Sequence, residues 1–193
     1  MPKSQKKKKG WWVLSQTKFL IAIDPGMSSG IAMFQYGEHK AAELVESEQI
    51  PGGVANFYES EIMERTGWIY ISDMTVICER FVPLSEDGFS HTSDSLEPLR
   101  IEGMLIGDGI MSADYTDKRW QRASCQLITG SGSDTTRKQA SNALLKEYGM
   151  WVTGVDVGQP DADDAISAIK HGIYYLKNVL KHRPTIEKFW PRA

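Results

Sequence analysis

The chain has 193 residues, 41% of them hydrophobic and 24% charged, with a formal net charge of −3. That length suits one α/β domain with a real core, and the composition excludes a disordered chain. No apolar run approaches the roughly 18 residues that would span a membrane.

Residues 1–17 read as a basic, flexible arm, with Lys3, Lys6, Lys7, Lys8 and Lys9 ahead of Trp11 and Trp12. Two readings stand: phosphate contact with base stacking, or a solvated tail. No apolar segment follows the lysines, so the arm is not a secretory signal. Cys78 and Cys125 both sit in strand-like runs and suit buried thiols in a reducing compartment, so the expected location is cytoplasmic.

The folded domain is expected over residues 18–182, with residues 183–193 as a C-terminal tail. Phe19 to Ile23 is a short β-rich apolar run ending in Asp24, and Pro25-Gly26 turns the chain. A second strand is expected over about Gly30 to Tyr36 and a weaker third over Lys40 to Glu48, as an antiparallel meander. Pro51-Gly52-Gly53 breaks the chain. Val54, Phe57, Tyr58 and Ile62 then recur at helical spacing, with Gly67 placed to end that helix.

Met74 to Cys78 is another buried strand, and it too ends in an acid, Glu79. A strand reached through a helix normally lies parallel to its neighbour. If it pairs with the first strand, Asp24 and Glu79 share one carboxyl edge on strands about 4.8 Å apart. Carboxylates so close repel unless a cation lies between them.

Residues 83–95 are polar loop. Leu96 to Met111 reads as a helix apolar on much of its circumference, with Gly103 and Gly107 open to close approach. It is either buried within one subunit or meets a second copy of itself. Lys118, Arg119 and Arg122 precede a fifth strand, Ala123 to Ile128. The Gly130–Ser133 loop leads into a helix ending near Tyr148 and Gly149. Arg137 and Lys138 in its first turns oppose the helix dipole, which suits an anionic ligand or plain solvation.

The final helix opens Asp161-Ala-Asp-Asp-Ala. At about 100° per residue, Asp161 falls on the stripe of Ala165, Ala168, Ile169, Gly172 and Leu176, and Asp164 borders it. Asp163 points the other way with Ser167, Lys170 and Tyr174. Dipole complementation accounts for Asp163 but not for two acids on the buried side. Asp24, Glu79, Asp161 and Asp164 thus form a four-carboxylate cluster. Oxygen ligands without nitrogen or sulfur suit Mg²⁺ or Mn²⁺, and two such ions can activate water and stabilise a leaving 3′-oxygen of a phosphodiester. His171, further down the helix, reads as structural or as a proton shuttle.

Together IDPG, CERF and DADDA resemble the motifs of RuvC-like Holliday junction resolvases, with the phage-encoded branch nearest, in the ribonuclease H-like superfamily. The resemblance runs from about Lys18 to Leu180. It implies a ribonuclease H-like mixed five-stranded sheet flanked by helices, and catalytic, metal-binding roles for Asp24, Glu79, Asp161 and Asp164. Paired hydrolysis of four-way or other branched DNA by a homodimer, leaving 5′-phosphate and 3′-hydroxyl ends, would follow. Phe81 matches an aromatic used near the junction centre, and Arg137 or Lys138 matches a basic residue near the scissile phosphate. Lys118, Arg119 and Arg122 are further expected DNA contacts. The helix Leu96–Met111 would contribute to the dimer. The lysine arm and Asp163 depart from the family pattern.

Three other readings fit some of the same residues. A ribonuclease H acting on RNA–DNA hybrids would carry its glutamate on the first helix, where Glu59, Glu61 and Glu64 lie. An actin-like ATPase shares the DPG loop but needs a second domain. A non-catalytic DNA-binding module would not need the whole acid set.

Overall fold

A computed structural model describes residues 17–66, 74–80, 96–110, 134–152 and 163–191. β1 (Lys18–Asp24) forms where Leu20 to Ile23 are wholly buried, because the sheet is covered on both faces. Leu20 and Ala22 point to one apolar cluster, Ile21 and Ile23 to the other. β2 (Ser28–Gly37) and β3 (Lys40–Pro51) continue from β1 as the expected antiparallel meander. β4 (Met74–Cys78) pairs parallel to β1, with Ile23 opposite Cys78. The order is β3-β2-β1-β4, so four strands stand among the described residues. The fifth strand expected at Ala123–Ile128 lies outside them.

Two short helices replace the single one expected after Gly53: α1 (Val54–Phe57) and α2 (Glu61–Thr66). Ser60 makes the break. Its hydroxyl accepts the Met63 N–H at 3.1 Å and donates to Glu48 Oε1, which caps α2 from β3. Gly67, the expected helix end, lies outside the described residues.

α3 (Glu97–Gly107) is shorter than the expected Leu96–Met111 helix. Gly109, at φ 70°, turns the chain out, and the Ile110 N–H closes back on Leu105 O at 2.9 Å. Ile101 and Leu105 are buried, and Met104, Ile106 and Ile110 pack on the same subunit's cluster. Glu97 ties α3 to α1, its Oε2 accepting the Val54 N–H at 2.8 Å. That hydrogen bond holds its carboxyl below the ordinary value of 4.5 against the opposing effect of burial, with Arg100 helping. A lowered carboxyl stabilises the fold above pH 4.5, and that contribution is lost as pH falls through the lowered value. Glu97→Gln should therefore cost about 1 to 2 kcal/mol at pH 7, and that cost should shrink as pH falls below 4.5 and through the lowered value, as read from urea midpoints.

α4 (Asp134–Glu147) and α5 (Asp163–Tyr174) cover the other sheet face. The small-residue stripe of α5 lies on the sheet: Ala165, Ala168, Ile169 and Leu176 are buried, and Gly172 sits directly over Phe34. The opposite face of α5 is less open than its wheel suggests. Lys170 and Tyr174 are buried, with Lys170 donating to Asn142 of α4 at 2.7 Å.

After a π-helical turn (Tyr175–Val179), the supposed C-terminal tail is mostly a helix, α6 (Arg183–Phe189), with Phe189 in the core. A bulge in β3 leaves the Ala42 N–H outside the ladder, and Thr185 Oγ1 accepts it at 2.9 Å. His182 Nε2 adds a contact to Gly37 O at 2.9 Å.

Candidate metal centre

Side chains alternate along a strand, so the α5-facing set Leu20 and Ala22 continues to Asp24, and Ile77 continues to Glu79. The Glu79 N–H extends the parallel ladder to Ile23 O at 2.9 Å. The two acids therefore stand side by side on one face at the carboxyl edge of the sheet. Asp24 is only 5% exposed.

α5 brings a third group. His171, 1% exposed, places Nε2 3.3 Å from Glu79 Oε2. Asp24, Glu79 and His171 each offer a ligand atom within 4.8 Å of the others. Two carboxylates and an imidazole nitrogen in so little space form a donor set that fits a small divalent cation. Negative charge collects there. The Cys78 thiol is pushed up first by burial and then by the charges of Glu102, Asp24 and Glu79. Glu102 is itself raised by burial, opposed by Arg80.

Asp164 opens α5 over β2, half-buried, and is not a member of that three-residue group. Its backbone is held by two features the sequence reading missed. Gly30, opposite Asp24 in the β1–β2 register, lets the helix approach so closely that a Cβ there would lie 1.9 Å from Asp164 O. Gln49, the β3 partner of Gly30, accepts the Asp164 N–H on Oε1 at 3.2 Å. Asp163 is exposed, as its wheel position implied.

α4 runs in the same sense as α5. Its C-terminal Tyr148 donates to Lys188 O at 3.1 Å, at the sheet end away from Asp24, and Asn142 meets Lys170 midway. The first turns of α4 thus lie toward the carboxylate edge, with Arg137 half-buried and Lys138 exposed. Asp161, Phe81, Lys118, Arg119 and Arg122 lie outside the described residues.

No protein-family model and no curated protein matches the chain. Among solved structures it is similar to T. thermophilus RuvC in complex with Holliday junction substrate, at 13% identity and a TM-score of 0.39. The alignment covers 82% of this chain and 95% of that one. A likeness this loose carries no argument about fold or function, which rest on the residues themselves.

Proposed function

We propose that the chain is a metal-dependent endodeoxyribonuclease of the RuvC-like, ribonuclease H-like kind, resolving four-way DNA junctions by paired phosphodiester hydrolysis. One observation carries the reading. Two acids from parallel neighbouring strands stand together at the carboxyl edge, and α5 opens its acidic N-terminus over the same sheet end.

In this reading Asp24 and Glu79 hold the ion, Asp161 and Asp164 complete a two-ion site, and Mg²⁺ or Mn²⁺ supplies water activation and charge neutralisation. Arg137 or Lys138 takes the scissile phosphate, Lys118, Arg119 and Arg122 take flanking phosphates, and Phe81 works at the junction centre. The products carry 5′-phosphate and 3′-hydroxyl ends, and the place of action is the cytoplasm, that of a host if the gene is phage-borne. Among the described residues, no helix is long and apolar enough to cross a membrane. The hybrid-nuclease alternative draws less support, because Glu59, Glu61 and Glu64 are exposed whereas Glu79 abuts His171 beside Asp24.

The test is nicking of a four-way junction in Mg²⁺, set against linear duplex and RNA–DNA hybrid. Preference for the junction supports the reading, and preference for the hybrid replaces it. Within the site, Asp164→Asn should slow cutting by about a hundredfold or more, while exposed Asp163→Asn should stay within about threefold of the parent. Equal losses would mean that α5 presents both carboxylates to the reacting phosphate.

Two symmetric cuts on a two-fold junction call for a two-fold pair of subunits. The pairing surface we infer is the outer face of α3, where Leu99 is 39% exposed and a Cβ at Gly103 or Gly107 would meet nothing within 4 Å. Met104 and Ile106, although apolar, pack inward and would report on folding rather than on pairing. Leu99→Glu should give a folded monomer by sedimentation that still nicks but no longer linearises a cruciform plasmid. A parent protein that sediments as a monomer at micromolar concentration and still linearises the cruciform in one encounter would rule the dimer out.

A further inference from the structure

The metal-dependent reading above, on which this inference rests, takes its ligands to be carboxylates alone. The geometry around His171 points elsewhere. Neighbouring ligands around a small divalent ion with bonds of about 2.1 Å stand about 3 Å apart. The 3.3 Å between His171 Nε2 and Glu79 Oε2 matches that spacing, and Asp24 contributes an oxygen within the same 4.8 Å group.

The helix explains how a residue so far from the acidic N-terminus arrives there. His171 lies seven residues after Asp164, two turns on and on nearly the same face. Cα–Cβ bonds tilt toward a helix N-terminus, so the imidazole leans back toward the carboxylate edge. Around it the sheet-facing positions of α5 are Ala165, Ala168, Ile169 and Gly172, all buried. Into this apolar packing the helix sends one imidazole, and its Nε2 meets the metal-site glutamate.

We propose that His171 is a nitrogen ligand of the ion held by Asp24 and Glu79, so that this site takes Mn²⁺ or Co²⁺ in preference to Mg²⁺. Imidazole suits first-row transition ions, whereas Mg²⁺ selects oxygen. The site is then a mixed nitrogen–oxygen centre. His171 has a chemical role that an all-carboxylate set would leave empty.

The test uses the full-length protein, stripped with chelator and reloaded with Mn²⁺. Pulsed electron paramagnetic resonance should detect a directly coordinated ¹⁴N in the parent and in His39→Gln, and lose it in His171→Gln. Calorimetry should find Mn²⁺ bound about tenfold or more tighter than Mg²⁺, with the gap closing to about threefold or less in His171→Gln. Because the nitrogen signal is read on the parent, the result stands even if the buried His171→Gln variant fails to fold. Saturable Mn²⁺ binding that Asp24→Asn abolishes, but without nitrogen coupling, overturns the inference and leaves the nuclease reading intact. His171 would then only hold Glu79 in place. Absence of any Asp24-dependent binding of Mn²⁺ or Mg²⁺ overturns both.

Discussion

Asp24→Asn is expected to slow cleavage of a four-way junction by about a thousandfold or more while leaving junction affinity within about threefold. The change swaps one metal-binding oxygen for an amide of the same shape at a site 5% exposed. It leaves the basic residues proposed to bind phosphate untouched, and those supply most of the affinity. Asparagine also removes one of two adjacent negative charges, so the metal-free variant should melt no lower than the parent. That combination, chemistry lost and fold kept, separates a ligand from a core residue. Cleavage retained in Mg²⁺ and Mn²⁺, or cleavage lost together with the fold, would remove Asp24 from the proposed metal site.

Gly30→Ala should be nearly as damaging by a different route. The added methyl would lie 1.9 Å from Asp164 O and 2.6 Å from Ala165 N, both backbone atoms that cannot rotate away. Either α5 lifts from β2 or the β1–β2 pair bends at Asp24, and both displace the acids relative to one another. We expect a loss of about 3 kcal/mol or more in stability, and in the folded fraction a drop in cutting of about a hundredfold. Gly103→Ala is the matching control. A Cβ there meets nothing within 4 Å, so alanine should leave the monomer as stable or stabilise it by up to about 1 kcal/mol. If Gly30→Ala behaves like Gly103→Ala, the close approach of α5 to β2 is not what aligns the site.

These contrasts mark what was legible in the chain and what was not. β4 appears over the same residues the sequence predicts, because a short apolar run centred on β-branched Thr75, Val76 and Ile77 favours a strand. The sheet-facing stripe of α5 was equally legible, since small residues recur at the helical period. Contacts between distant segments were not. The break at Ser60 depends on Glu48 arriving from β3, so apolar spacing alone joined α1 to α2. Residues 183–189 carry Arg183, Pro184, Glu187 and Lys188 and look like a solvated tail until Thr185 meets Ala42 and Phe189 enters the core. The wheel puts Lys170 only on the face away from the stripe, because no sequence rule brings Asn142 against it. Gln49 is one polar residue in a mixed strand, with nothing local to mark it as the partner of Asp164. His171 had a visible signal, its two-turn spacing from Asp164. What the sequence lacked was the position of Glu79 beside it.

The hydrogen bond from Asp164 to Gln49 joins segments 115 residues apart. A ribosome releases the chain from its N-terminus, so β1, β2, β3 and β4 can pair long before α5 exists. Until α5 docks, Asp24 and Glu79 have neither His171 nor the Asp164 turn beside them. Under the proposed function, a chain whose α5 has not yet docked lacks the Asp164 and His171 side of the site, so cutting should appear only with that contact. The Asp164 amide proton should serve as the clock for that event: in pulse-labelled refolding it gains protection together with activity, after the amides of β1 and β2 have already slowed.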